Sequence, residues 1–183
     1  MKRIVLFAAL VLLVMGNTLV AQEQKDTRPF SERIWFGGGV GLSFGTFTAI
    51  QLDPMVGYKL DREGKLSLGV GGSYWYFRDN RFGTPYDFSA YGYRTFGRYR
   101  FIEQAFAHVE FLHMNVEASR FGPLSEIKPR IWVPHLLVGG GYVQSMGGRG
   151  SIFIQVLFDV WQDPNSIYYG RGPILGGGFG YGF

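Results

Sequence analysis

The 183-residue sequence contains no cysteine. That excludes a disulfide framework, a thiolate metal site and the acylated N-terminal cysteine of a lipoprotein. Charge is also sparse: charged residues make up 17% of the chain, no more than the aromatics. The formal net charge is +4. Setting aside Lys2 and Arg3 leaves 16 basic against 14 acidic residues, too small an excess to argue for a nucleic-acid partner. After residue 21 no apolar run reaches the ~20 residues that a membrane-spanning helix needs. The fold class therefore has to be read from periodicity.

The first residues, "MKR", lead into the apolar run "IVLFAALVLLVMG" and then "NTLVAQEQ". Two cations, an apolar stretch and a small residue at Ala21 form the pattern of a secretory signal peptide, expected over residues 1–21 with Gln22 as the mature N-terminus. The alternative, a buried N-terminal helix of the domain, is disfavoured because the segment has no polar face. Residues 22–32, "QEQKDTRPFSE", are polar and aperiodic and are expected to form a flexible lead. Residues 33–183 are of single-domain length.

What is abundant is glycine, with 28 residues, alongside 17 phenylalanines and 11 tyrosines. These residues alternate by two, the signature of strands with two unlike faces. In "IWFGGGVGLSF", Phe36, Val40 and Leu42 oppose Gly37, Gly39 and Gly41. In "AIQLDPMVGYK", Ile50, Leu52, Val56 and Tyr58 oppose Gln51, Asp53, Met55 and Gly57. The same period runs through "KLSLGVGGSYWYF", "SAYGYRTFGRYRF", "AFAHVEFLHMNVE", "RIWVPHLLVGGGYV", "SIFIQVLFDVW" and the closing "GPILGGGFGYGF". Eight strands are predicted.

Their connections alternate in length. "LDREG", "IEQ" and "SMGGRG" are tight, whereas "RDNRFGTPYD", "ASRFGPLSEIKP" and "QDPNSIYYGR" are long; the first hairpin, near "GTFT", is the short exception. Long loops at one end, tight turns at the other and an even strand count describe an outer-membrane barrel. The apolar faces oppose faces made mostly of glycine, so a soluble reading would leave the protein inside out. A closed barrel in lipid resolves this, because every backbone amide is paired and no edge remains. The expected fold is an all-β, eight-stranded antiparallel transmembrane β-barrel with a side-chain-filled lumen. Outer-membrane lipid is the expected surrounding, with no nucleic acid among the partners. The closing strand, with Phe179, Tyr181 and Phe183 on its lipid face, is similar to the carboxy-terminal signal that Gram-negative barrel-insertion machinery reads, and the aromatics are expected in a girdle at the periplasmic interface.

Closure places the eighth strand beside the first, so Gly176, Gly178, Gly180 and Gly182 adjoin Gly37, Gly39 and Gly41 in one bare wall. The fourth and fifth strands lie opposite and carry Arg94, Phe96, Arg98, Arg100, His108 and Glu110. An eight-stranded barrel is just wide enough for side chains to fill it. A lumenal charge cluster of Arg94, Arg98, Arg100, Glu110, Asp53 and Asp159 is therefore predicted, with Arg94 or Arg98 paired to Glu110. Pairing is what makes such charges tolerable away from water.

The stretches "PMVGYKL", "KLSLGVGGSYWYF", "GRYRFIEQAFAHVE" and "WVPHLLVGGGYVQSMGGRGSIFIQVLFD" resemble a family of short outer-membrane β-barrel proteins of the Bacteroidota, similar in architecture to OmpX and the OmpA membrane domain. The resemblance implies a location and a fold, and supplies no catalytic residue. Some barrels of this size deacylate lipid A with a His-x-Ser pair and a glutamate. This chain has His108-Val109-Glu110, and no serine lies two places from any of its three histidines. "GGRG" around Arg149 joins two strands and opens no helix, so it is a turn and not a phosphate loop. No catalytic, cofactor or metal residues are assigned. The expected role is a non-enzymatic structural or surface-interaction barrel. The alternative is an accessory subunit of a larger outer-membrane secretion or assembly complex, with contacts near "NRFGTPYDF" and "SIYYGRG".

Overall fold

A computed structural model describes residues 28–43, 47–79, 86–117, 130–170 and 172–183. Residues 1–21, where a signal peptide is expected, the first part of the expected lead and most of the "NRFGTPYDF" loop lie outside them. Within the described end of the expected lead, Phe30–Arg33 form a four-residue helix, α1, and Arg28 donates to the Asp61 carbonyl at 2.6 Å.

Eight strands follow: β1 Ile34–Ser43, β2 Phe47–Lys59, β3 Leu66–Asp79, β4 Tyr86–Arg100, β5 Ala105–Glu117, β6 Arg130–Gly147, β7 Gly150–Asp159 and β8 Ile174–Tyr181. Each pairs antiparallel with the next, and β8 returns to β1, closing the barrel. Aromatic and branched side chains favour these extended segments. The β2–β3 turn is fastened by Asp61, whose carboxylate accepts the Lys65 and Leu66 amides at 3.1 and 2.7 Å. Asp and Asn side chains commonly close turns in this way.

Every strand contributes apolar residues to the outer surface. Val40 and Leu42 on β1, Leu52 on β2, Val70 on β3, Tyr93 on β4, Val109 on β5, Val138 on β6, Ile154 on β7 and Leu175 on β8 are all exposed. A soluble monomer rarely exposes a contiguous apolar surface, and here it encircles the molecule.

The interior is layered. Toward the tight turns, Trp35, Met55, Phe96, Phe106, Val143 and Phe153 pack together, with Phe183 against them. Toward the long loops, Phe88, Leu112, Met114, Val133, Leu137 and Leu157 form a second apolar layer, capped by Ile167 and Tyr168 from the β7–β8 connection. The charged residues lie between.

One expectation about the closing strand is corrected. Phe183 does not continue the lipid face. Gly182 has φ +77°, a left-handed turn suited to glycine, and the chain folds inward so that Phe183 stacks on Phe153 at 5.8 Å and lies 4.7 Å from Trp35. Phe179 and Tyr181 remain on the outer surface. Side chains fill the lumen, and a cavity of about 300 Å³ lies against the glycine wall.

Candidate functional site: the lumenal charge network

The site is built from β2, β3, β4 and β5, whose alternation turns polar residues inward at one depth. Arg94 on β4 is its hub. Its Nη2 reaches Asp53 Oδ1 at 2.5 Å and Ser73 Oγ at 3.0 Å, while Nη1 lies 3.3 Å from Glu110 Oε1. Ser73 donates to Asp53 Oδ1, and Gln51 donates to Asp53 Oδ2 at 2.6 Å. Arg94 can span from β4 to β2 because the intervening β3 presents Gly71 beside it, where a Cβ would crowd the Arg94 side chain.

His108 connects this hub to Arg98. Arg98 Nε–H points at His108 Nδ1 at 3.3 Å, and His108 Nε2 lies 3.0 Å from Glu110 Oε2. An arginine can only donate, so Nδ1 must accept and the proton sits on Nε2, directed at Glu110. The imidazole is therefore neutral, and the two buried arginines balance the two carboxylates, Asp53 and Glu110.

Of the two arginines expected to compete for Glu110, Arg94 takes the pair, and Arg98 has no carboxylate partner among the described residues. Its guanidinium carbon lies 4.2 Å from the Phe106 ring centroid, 4.6 Å from that of Phe183 and 5.0 Å from that of Trp35. The cation is held by ring faces, an attraction that strengthens when water is excluded. Trp35 fits there because Gly57 lies beside it; a Cβ at Gly57 would overlap the indole.

Two predicted members lie elsewhere. Arg100 has the lumenal parity, but it is at the tight-turn rim, where it donates to the Glu103 carbonyl at 3.0 Å. Asp159 ends β7 and accepts from Ser166 Oγ at 3.1 Å and from the Trp161 amide at 3.1 Å. It fastens the β7–β8 connection and does not meet an arginine of the network. In that connection Ile167 and Tyr168 are buried, so half of the aromatic surface expected of "SIYYGRG" faces inward.

Trp35, Ser73 and Gln51 were not among the predicted site residues. Trp35 shares the parity of Gly37, Gly39 and Gly41, which is the signal that could have placed it inside. The Ser73 hydroxyl proton is directed at Asp53, a carboxylate already paired with Arg94, and the Ser73 oxygen accepts from Arg94, so both groups are engaged in holding the network. Among the described residues no group of three His, Asp or Glu side chains could hold a metal ion.

No family model matches the sequence, and the comparison with curated proteins found no match. Among solved structures, the chain is similar to the N-terminal β-barrel domain of Pseudomonas aeruginosa OprF at 12% identity and a TM-score of 0.44, over 81% of this chain and 96% of that one. The class of molecule follows from the strand pairing itself: a closed, eight-stranded antiparallel β-barrel.

Proposed function

We propose that this chain is an integral outer-membrane β-barrel with a structural or surface-interaction role and no catalytic activity. The observation that carries the reading is inverted polarity: all eight strands expose apolar side chains, while Arg94, Arg98, Asp53 and Glu110 are buried. Only a hydrocarbon surrounding makes that arrangement favourable. Tyr91, Tyr93 and Trp132 on the long-loop half and Tyr99, Tyr142 and Tyr181 on the tight-turn half are exposed and suited to the two interfacial girdles of such a barrel. The reading extends to a Gram-negative host, to delivery by the signal peptide of residues 1–21, and to the short Bacteroidota barrels that the sequence resembles.

The absence of cysteine gives a clean test. Single variants Val70→Cys and Ile154→Cys, in intact outer membranes, should resist a membrane-impermeant maleimide and react with a lipid-soluble one. Equal reaction with both would mean that the outer face meets water and would overturn the reading.

A second reading, an accessory subunit, is favoured by one observation. The β7–β8 connection is fixed by the Asp159 bonds and by Gln162, whose side chain donates to the Asp159 carbonyl at 2.6 Å, and it holds Trp161 and Tyr169 exposed. Pre-ordered aromatics are effective contact residues. Affinity purification in mild detergent should then recover a partner at near-equal amount, and Trp161→Ala should release it. Recovery of the barrel alone would remove this reading.

A further inference from the structure

The barrel wall is uneven. Strands β3 and β4 register over fourteen positions and β7 and β8 over eight, but β1 and β8 register over three: Phe36 with Tyr181, Gly37 with Gly180 and Gly38 with Phe179. Residues 39–43 of β1 and 174–177 of β8 keep their partners on β2 and β7 and have no registered partner across the seam. Unpaired backbone groups are costly in hydrocarbon, so the gap calls for an occupant.

Behind the gap lies the 300 Å³ cavity. Its lining includes both inward residues, among them Trp75, Arg94 and Gln155, and the outward Val40 and Leu175, so it passes through the wall. Three polar atoms on these inward side chains lack hydrogen-bond partners: Arg94 Nε, Trp75 Nε1 and Gln155 Oε1. Arg94 and Gln155 are more than nine-tenths buried. The volume equals that of about ten waters and falls at the lower end of the range for ligand pockets.

Outside the wall, an apolar groove of about 560 Å³ runs past Phe36, Leu52 and Phe179, and it shares Gly39, Val40 and Asp53 with the cavity. The cavity lies toward the long loops and the groove toward the tight turns. A molecule occupying both would have its polar end up and its chain down, the orientation of a lipid in the leaflet nearer the long loops.

The chemistry of the polar end follows from the lining. Two donors and one acceptor are free. Arg94 is already faced by Asp53 and Glu110, so a carboxylate or phosphate would meet two buried carboxylates. We propose that the β1–β8 seam is a lateral binding site for an uncharged single-chain amphiphile with hydroxyl or amide groups, its head in the cavity and its chain in the outer groove. The proposal rests on the membrane reading above.

The test uses the full chain folded in lipid nanodiscs, with tritium-labelled 1-monoolein as probe. Saturable binding is expected, with oleate at least tenfold weaker as a competitor and Gln155→Leu lowering affinity at least tenfold. Leu42→Cys with Leu175→Cys, when oxidised, should close the seam and block binding, and reduction should restore it. Amide exchange at residues 40–43 and 174–177 should slow on adding 1-monoolein, while residues 152–157 stay unchanged; this measurement needs no variant. Absence of saturable binding to an inserted barrel, equal competition by oleate, an unaffected Gln155→Leu variant or no gain in protection at the seam would each overturn the proposal while leaving the membrane reading intact. Failure of the chain to insert would overturn both.

Discussion

Opposite walls of this lumen are made by opposite means. On β4 and β5 the inward positions are Arg94, Phe96, Arg98, Phe106, His108, Glu110 and Leu112, all buried. On β8 and β1 they are Gly176, Gly178, Gly180, Gly37, Gly39 and Gly41, with Trp35 as the large exception. One wall reaches and the other makes room. Space is therefore not shared evenly around the barrel, and the charges are carried by the wall that has the reach to pair them. The two walls should accordingly fail in different ways: the filled one by leaving charges or voids, the bare one by overfilling.

The largest effect is expected on the filled wall. Arg94→Met removes the partner of both Asp53 and Glu110 and leaves them buried, a change that typically costs about 3–5 kcal/mol. Urea unfolding of the barrel in lipid should show that loss as a lower midpoint at an unchanged slope. On the bare wall, Gly178→Val would drive its Cβ into the Gly38 backbone across the seam. A cost of about 1–3 kcal/mol is expected from overpacking, together with faster amide exchange at Gly37 and Gly180. If valine there were neutral, the room made by the glycines would not be needed.

A smaller loss sharpens the comparison within the filled wall. Arg98→Met should cost about 1–2 kcal/mol, less than Arg94→Met, because ring faces and one imidazole are its partners and no carboxylate is left unpaired. Equal losses at the two positions would show that ring contact and ion pairing hold the two arginines alike. The smallest effect is at the loop that caps the lumen. Burial pushes the Tyr168 phenol well above its ordinary range. The folded state therefore binds this proton more tightly than the unfolded one, and its contribution is complete below about pH 10 and falls as pH rises beyond that. Fluorescence of Trp75, whose ring is 5.8 Å from Tyr168, should report the cap loosening only on the alkaline side, and Tyr168→Phe should abolish the response.

The strand count, the antiparallel closure and the bare glycine wall were legible in the sequence because a period of two is a local property. Depth was not. Arg100 and Asp159 have the parity of the lumen but lie at its two ends, and period alone does not say how far along the barrel a residue sits. Direction changes were hidden as well: the φ of +77° at Gly182 reverses Phe183, and the alternation of "GFGYGF" gives no sign of it. The inward placement of Ile167 and Tyr168 depends on Asp159 holding Ser166, a contact seven residues apart within a segment that has no period. The network's inner partners, Ser73 and Gln51, carry no charge and so drew no attention, although both share the parity of Asp53.

The measurement that tests the account most directly is a double-mutant cycle between Arg94 and Asp53, using Arg94→Met and Asp53→Leu singly and together, with unfolding free energies measured in the same bilayer. A lumen organised around that pair predicts strong coupling, on the order of 2–3 kcal/mol, with the double variant more stable than the sum of the single losses implies. Additive losses, within about 0.5 kcal/mol, would mean that the two residues act independently and that the charged wall is not what holds the barrel interior together.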